Sequence, residues 1–349
     1  MDKKDVQESN INNLLKRISF YLPYFSLKNI ELLTEFKKEV IINNQNPVLI
    51  YNSGSDIPDY ININRVFNID YRSNPTDGWA WCRLVNFCLN DRPAFELSKS
   101  RFVNYVNTLL KLSYKKTYVF GTGSSLEKAL DKDWSDGYRI VCNTIVRDPE
   151  LWNHINPHFI VAGDAIFHFG FTPFASAFRR DLYDRFKETN TYFLYPELFH
   201  NIVIRDFEEF SNRLIPIPKG QYQKINVDLT QTFQLPSLHN VLGLLLLPLA
   251  CTLSKNIYLW GFDGKAPGDK YFWSNSQKHS YPELFSDLQK AHPYFFEHFV
   301  PETDKTKYTN IAFGDLFEKI LLKAEKEGYK FNMMHKSWTP KSSKNDLLK

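Results

Sequence analysis

The sequence predicts an α/β chain, a mostly parallel sheet with helices on both faces. Three observations predict it. Short apolar runs recur from about residue 115 onward and alternate with segments of helical spacing. The runs are apolar nearly throughout, as strands covered on both faces are. Each run ends in small or polar residues: Gly121-Thr122-Gly123, Asn143-Thr144, Gly163-Asp164 and Gly261-Phe262-Asp263.

Taken in order, residues 1–45 read as amphipathic helix, with Ile11, Leu14, Leu15 and Ile18 at helical spacing. Pro47 to Tyr51 reads as a strand, stopped by Asn52-Ser53-Gly54-Ser55, and Arg65 to Tyr71 as a second. Residues 77–112 read as helix around Trp79, Trp81, Leu84, Val85 and Phe87, broken near Pro93. The clear alternation then begins. Strand 117–120 runs into Gly121-Thr122-Gly123-Ser124-Ser125, with a helix from Leu126. Tyr138 to Cys142, Pro157 to Ala162 and Thr191 to Tyr195 are further strands. Leu238 to Leu253 reads as a buried helix, Asn256 to Trp260 as a strand, 312–327 as a helix and Tyr329 to Met333 as the last strand. The expected organisation is an N-terminal α/β accessory region (1–114), a catalytic domain (115–338) with a long lid (264–310), and a basic tail (339–349).

Glycines let the loop after strand 117–120 turn sharply, and free amides at a following helix start favour an anion. That is the grammar of a nucleotide-phosphate site in a Rossmann-like sheet. The loop is neither GxGxxG nor a P-loop. In a parallel sheet the C-terminal strand ends form one rim, where ligands bind. The four polar ends together therefore predict a ligand rim.

These motifs resemble the bacterial lipooligosaccharide sialyltransferases. The family carries a Gly-Asn-Gly-Pro-Ser-Leu-type loop, matched here by Gly121 to Leu126. It has an Arg-Cys-Asn strand end, matched at Cys142-Asn143, and an Ile-Tyr-Leu-x-Gly-x-Asp strand end, matched at Ile257 to Asp263. The same skeleton is similar to the 6-hydroxymethylpterin pyrophosphokinase-like and motility accessory factor proteins. The resemblance spans roughly residues 115–338 and implies a metal-independent, inverting glycosyltransferase. It would move an acidic sugar, sialic acid or Kdo-like, from a CMP donor to a surface glycan or glycolipid acceptor, with no cofactor beyond that donor. It implies that Gly121, Thr122, Gly123, Ser124 and Ser125 meet the phosphate and ribose, and Asn143 the phosphate or sugar. Asp164 or Gly163 would meet donor or acceptor, Asn240 the donor carboxylate, and Gly261 and Asp263 the cytosine and ribose. Thr122 stands where the family has asparagine, and Leu238-His239-Asn240-Val241 replaces its Thr-Ser-Gly helix start, so the donor sugar is left open.

In the family the lid supplies tyrosines for the leaving phosphate and a histidine base. Carried over, Tyr271 is the leaving-group donor, His298 the first base and His292 the second. Imidazole, with an intrinsic pKa near ~6.5, suits that task at neutral pH. A pyrophosphokinase-like enzyme holding Mg²⁺ through Asp164 and Asp263 is the alternative, as is a non-catalytic glycan- or partner-binding protein. No DxD pair ends a strand, Pro157 separates His154 from His158, and His168 and His200 read as structural.

Composition bounds the rest. A hydrophobic fraction of 43% over 349 residues supports a packed fold and argues against disorder. A formal charge of +4, without a basic stripe, gives no footprint for nucleic acid. Cys82, Cys88, Cys142 and Cys251 lack metal spacing and read as buried thiols. The chain is expected to be cytoplasmic, with peripheral membrane contact through the basic tail at Lys336 to Lys349, and its oligomeric state is open.

Overall fold

The computed structural model describes residues 3–21, 23, 38–42, 47–50, 57–74, 76–89, 95–264, 278–301, 303–304 and 307–338. Among the described residues there are two sheets. The small one pairs β1 (Val48–Ile50) with β2 (Val66–Asn68) in parallel, over a core of Ile41, Ile50, Ile61 and Val66. The large one has seven parallel strands: β3 (Thr117–Phe120), β4 (Tyr138–Cys142), β5 (Phe159–Val161), β6 (Tyr192–Pro196), β7 (Leu214–Ile217), β8 (Asn256–Trp260) and β9 (Lys330–Met333). Their spatial order is β7-β6-β5-β4-β3-β8-β9. The chain thus walks from β3 outward to β7, then returns to lay β8 against the other side of β3. That reversal is the topological switch point of an open α/β sheet, a Rossmann-like arrangement.

Successive residues of a strand face opposite sides, so a sheet covered twice yields two cores. Tyr118, Phe120, Ile160, Phe193, Tyr195 and Trp260 enter one core; Val119, Ile140, Val161, Leu194, Ile215 and Leu259 enter the other. Helices Asp77–Leu89 and Pro173–Glu188 supply side chains to the first, helices Phe95–Leu110, Leu247–Leu253 and Asp315–Lys326 to the second. Residues before 115 therefore contribute to both cores. At the end of helix Lys3–Tyr21, the Tyr21 ring stacks on Trp81 at 5.0 Å.

The structure departs from the sequence reading in several places. Strand β7 was not foreseen, because Pro216 and Pro218 argue against a strand; β7 lies at the sheet edge, where proline is tolerated. The buried helix expected from Leu238 starts later. It opens as a π-turn over Leu242–Leu246 and becomes α-helical at Leu247, just before Pro248, which has no N–H to donate. The turn after the glycine loop is 3₁₀, over Ser124–Asp131. The single helix expected over 312–327 is two, Lys307–Phe313 and Asp315–Lys326, parted at Gly314. Cys82, Cys142 and Cys251 are buried, Cys88 half-buried, and all are free thiols. Among the described residues, no helix is long and apolar enough to cross a membrane.

Candidate functional site

The C-terminal ends of β5, β4, β3 and β8 are consecutive in the sheet, so the four polar strand ends share one rim. At the switch point the loops after β3 and β8 are pressed together. The Gly121 amide donates to the Trp260 carbonyl and the Gly123 amide to the Gly261 carbonyl, each at 2.8 Å. A Cβ on Gly123 would lie 2.8 Å from the Gly261 oxygen and run into the Asp263 carboxylate. Gly261 has φ +77 and abuts the Gly121 carbonyl. These glycines serve loop-on-loop packing.

The anion at the start of the 3₁₀ turn is the chain's own. Asp263 accepts from the Ser125 amide at 3.1 and 3.2 Å, from the Ser125 hydroxyl at 2.9 Å and from the Ser124 hydroxyl at 3.4 Å. Thr122 is half-buried beside them.

Asn143 ends β4 in the left-handed region, φ 52. Its Oδ1 is buried with no hydrogen-bond partner among the described residues. The following turn holds the segment after 277: Thr144 donates to the His279 carbonyl and Arg147 to the Ser280 carbonyl. Asp164, past β5, accepts from the amides of Ile166 at 2.7 Å and Phe167 at 3.2 Å, while its own amide donates to His168 Nδ1 at 3.3 Å. Burial pushes the Asp164 carboxyl up to about 6, beyond what the two amides draw back. Burial likewise takes His168 down to about 3, so it stays a neutral acceptor. Gly163 packs beneath Leu245.

Asn240 is buried, and both ends of its amide are engaged: Oδ1 accepts from the Gly243 amide at 2.6 Å, and Nδ2 donates to the Ala312 carbonyl. It caps the π-turn. His298 is exposed at the end of helix Pro293–His298, its ring 3.5 Å from that of Tyr294. His292 is buried against Asp77 and Arg17. Tyr271 lies outside the described residues, as do residues 339–349 of the tail. Among the described residues, no three His, Cys, Asp or Glu side chains group as a metal set.

The sequence reading missed His335. Its Nε2 accepts from the amides of Gly261 at 3.1 Å and Phe262 at 3.3 Å, so that nitrogen is bare and Nδ1–H donates to the Lys336 carbonyl at 2.8 Å. Ser337 donates to the Phe262 carbonyl at 2.6 Å, and the Trp338 amide to the Asp263 carbonyl at 2.7 Å. The segment after β9 thus backs the switch-point loop. The rule that strand ends carry the site, applied to the last strand as well, would have found His335.

No known family profile matches the chain, and no curated protein does. Two solved structures are similar in chain course. One is a variant of the sialyltransferase CST-II in complex with CMP, with a TM-score of 0.32 and 12% identity over 63% of this chain and 81% of that one. The other is the sialyltransferase CstII from Campylobacter jejuni in complex with the substrate analogue cytidine-5'-monophosphate. Its TM-score is 0.25 and its identity 12%, over 51% of this chain and 77% of that one.

Proposed function

We propose that the chain is a metal-independent, inverting glycosyltransferase that moves an acidic sugar from a CMP donor to a glycan or glycolipid acceptor. The observation that supports it most is Asn143. A buried amide oxygen without a donor among the described residues, on a left-handed residue at the rim next to the switch point, suits a hydroxyl-bearing ligand. A ribose or sugar hydroxyl would donate to it. The motifs that resemble the sialyltransferases lie on the same rim, at Gly121 to Leu126, Cys142-Asn143 and Ile257 to Asp263.

On this reading Thr122 takes the donor phosphate, since Asp263 already holds Ser124 and Ser125, and Asp164 meets the acceptor. Its carboxyl, near 6, is balanced between accepting and releasing a proton at neutral pH. His298 and His292 are the candidate bases, and Tyr271 the donor to the leaving phosphate. CMP at about 100 times its Kd should stabilise the fold by about 2.7 kcal/mol without added metal, seen as a rise in Tm of several degrees. Stabilisation by ATP only, and only with Mg²⁺, would replace this reading with the pyrophosphokinase-like one.

A further inference from the structure

A buried ionic cluster joins three distant parts of the chain. Arg17, on the N-terminal helix, donates from Nε to Asp77 Oδ2 at 2.8 Å, and His292 Nδ1 lies 2.8 Å from Asp77 Oδ1. The three residues are 0%, 1% and 2% exposed, so their charges are set by one another rather than by bulk solvent. A carboxylate only accepts, and its 2.8 Å contact is closer than the 3.3 Å from Arg17 Nη2 to the same nitrogen, so the proton of the imidazole is assigned to Nδ1. Arg17 also donates to the Ala291 carbonyl, and its guanidinium is sandwiched between the rings of Tyr71 and Phe171, 4.4 and 4.5 Å from their centroids. The carboxylate is therefore clamped, and the imidazole with it. His292 Nε2 is left bare, a buried acceptor with no hydrogen-bond partner among the described residues. Unpaired buried acceptors are rare in folded chains and often mark a ligand or a catalytic role.

The cluster borders the rim. Gly78, next to Asp77, packs so closely on Ala165 that an added Cβ would come within 3.0 Å of the Ala165 Cβ; Ala165 directly follows Asp164. Phe171 ends the same loop, with its centroid 5.9 Å from that of His292. Both contacts place the imidazole on the β5 side of the site.

We propose that Arg17 and Asp77 are positioning residues for His292, holding it as the Nδ1–H tautomer so that its bare Nε2 takes the proton of the acceptor hydroxyl. This rests on the glycosyl-transfer reading. In that step the acceptor O–H bond breaks and its proton passes to Nε2. The oxygen's electron pair forms the bond to the anomeric carbon. The bond from that carbon to the phosphate oxygen breaks, and its pair leaves with CMP. Asp77 then faces an imidazolium, which its charge stabilises. The N-terminal region becomes part of the reacting site, since two of the three residues come from it.

The test is nitrogen-15 NMR of the histidine-labelled full chain, titrated with CMP-N-acetylneuraminate, alongside the rate of CMP release. The free protein should give His292 as a neutral Nδ1–H ring, and saturating donor should move its Nε2 resonance while the exposed His154 stays put. Asp77→Asn should lower kcat about 10- to 100-fold with KM within about twofold, and Asp77→Glu should recover part of the loss. CMP-N-acetylneuraminate that binds without moving the His292 Nε2 resonance overturns the proposal and leaves nucleotide binding standing. An Asp77→Asn chain with the parent kcat also overturns it. A parent chain that binds no cytidine nucleotide removes the transfer reading and this proposal together. Should Asp77→Asn fail to fold, the resonance of the parent chain decides alone.

Discussion

Asn143 gives the sharpest single-residue experiment, because its side chain adds little to the fold. Asn143→Gly keeps the left-handed backbone open to glycine and removes the unpartnered oxygen. It should fold within about 1 kcal/mol of the parent, since among the described residues the lost side chain held no hydrogen bond through Oδ1. It should weaken CMP binding about tenfold, measured by calorimetry; unchanged affinity would remove Asn143 from the site. Asp164 carries a pH dependence of unusual sign. Its folded pKa, about 6, lies above the unfolded value near ~3.9, so the folded state binds more protons between the two and loses stability as pH rises through that window. Asp164→Asn should therefore be about 1–3 kcal/mol more stable than the parent at pH 8 and no different at pH 4, by urea titration. An equal gain at both pH values would mean that burial does not act on the carboxyl. Gly123 was legible in the sequence as a position needing glycine, but for a reason the sequence hides. The anion that crowds it is Asp263, which is 140 positions further along the chain.

At the scale of elements, the docking of helix Lys3–Tyr21 rests on a buried charge pair, so it should respond non-additively to substitution. Arg17→Met or Asp77→Asn alone strands a charge and should cost about 3–5 kcal/mol. Together they remove both charges, and the double variant should be more stable than either single one; strict additivity in a double-mutant cycle would deny the coupling. Burial also lowers the His292 pKa below its ordinary value, more than Asp77 raises it. That part of the stability is present at neutral pH and is lost as pH falls below about 6.5, opposite in sign to Asp164. Element types were legible where local physics decides them. Strands covered on both faces must be apolar, and their ends must turn. Legibility failed where tertiary position overrides propensity, as at β7 with its proline and at the π-turn before Pro248. The N-terminal helix was half legible. Leu14 and Ile18 pack on the core, whereas Ile11 and Leu15 are 51% and 54% exposed.

For the whole molecule, the sequence divides near residue 114, yet side chains from before that point fill both cores. A fragment of residues 115–338 would uncover the sheet face under Phe102, Val106 and Leu109 and leave His292 without Asp77. It should melt without a cooperative transition by circular dichroism, while the full chain melts in one. A fragment as cooperative as the parent would restore an independent domain. The rim was legible because strand ends announce themselves locally. The cluster around His292 was not, because its pairs are separated by 60 and 215 residues and no spacing links them. Pro216 bears on association as well. An open sheet ends in two backbone edges, each a template for a second chain unless it is covered or blunted. Pro216 deprives the β7 edge strand of an amide donor and so blunts it as a template. β9, the opposite edge, carries no proline and keeps its amide donors, so the two ends of the sheet differ in how readily a further strand could extend them.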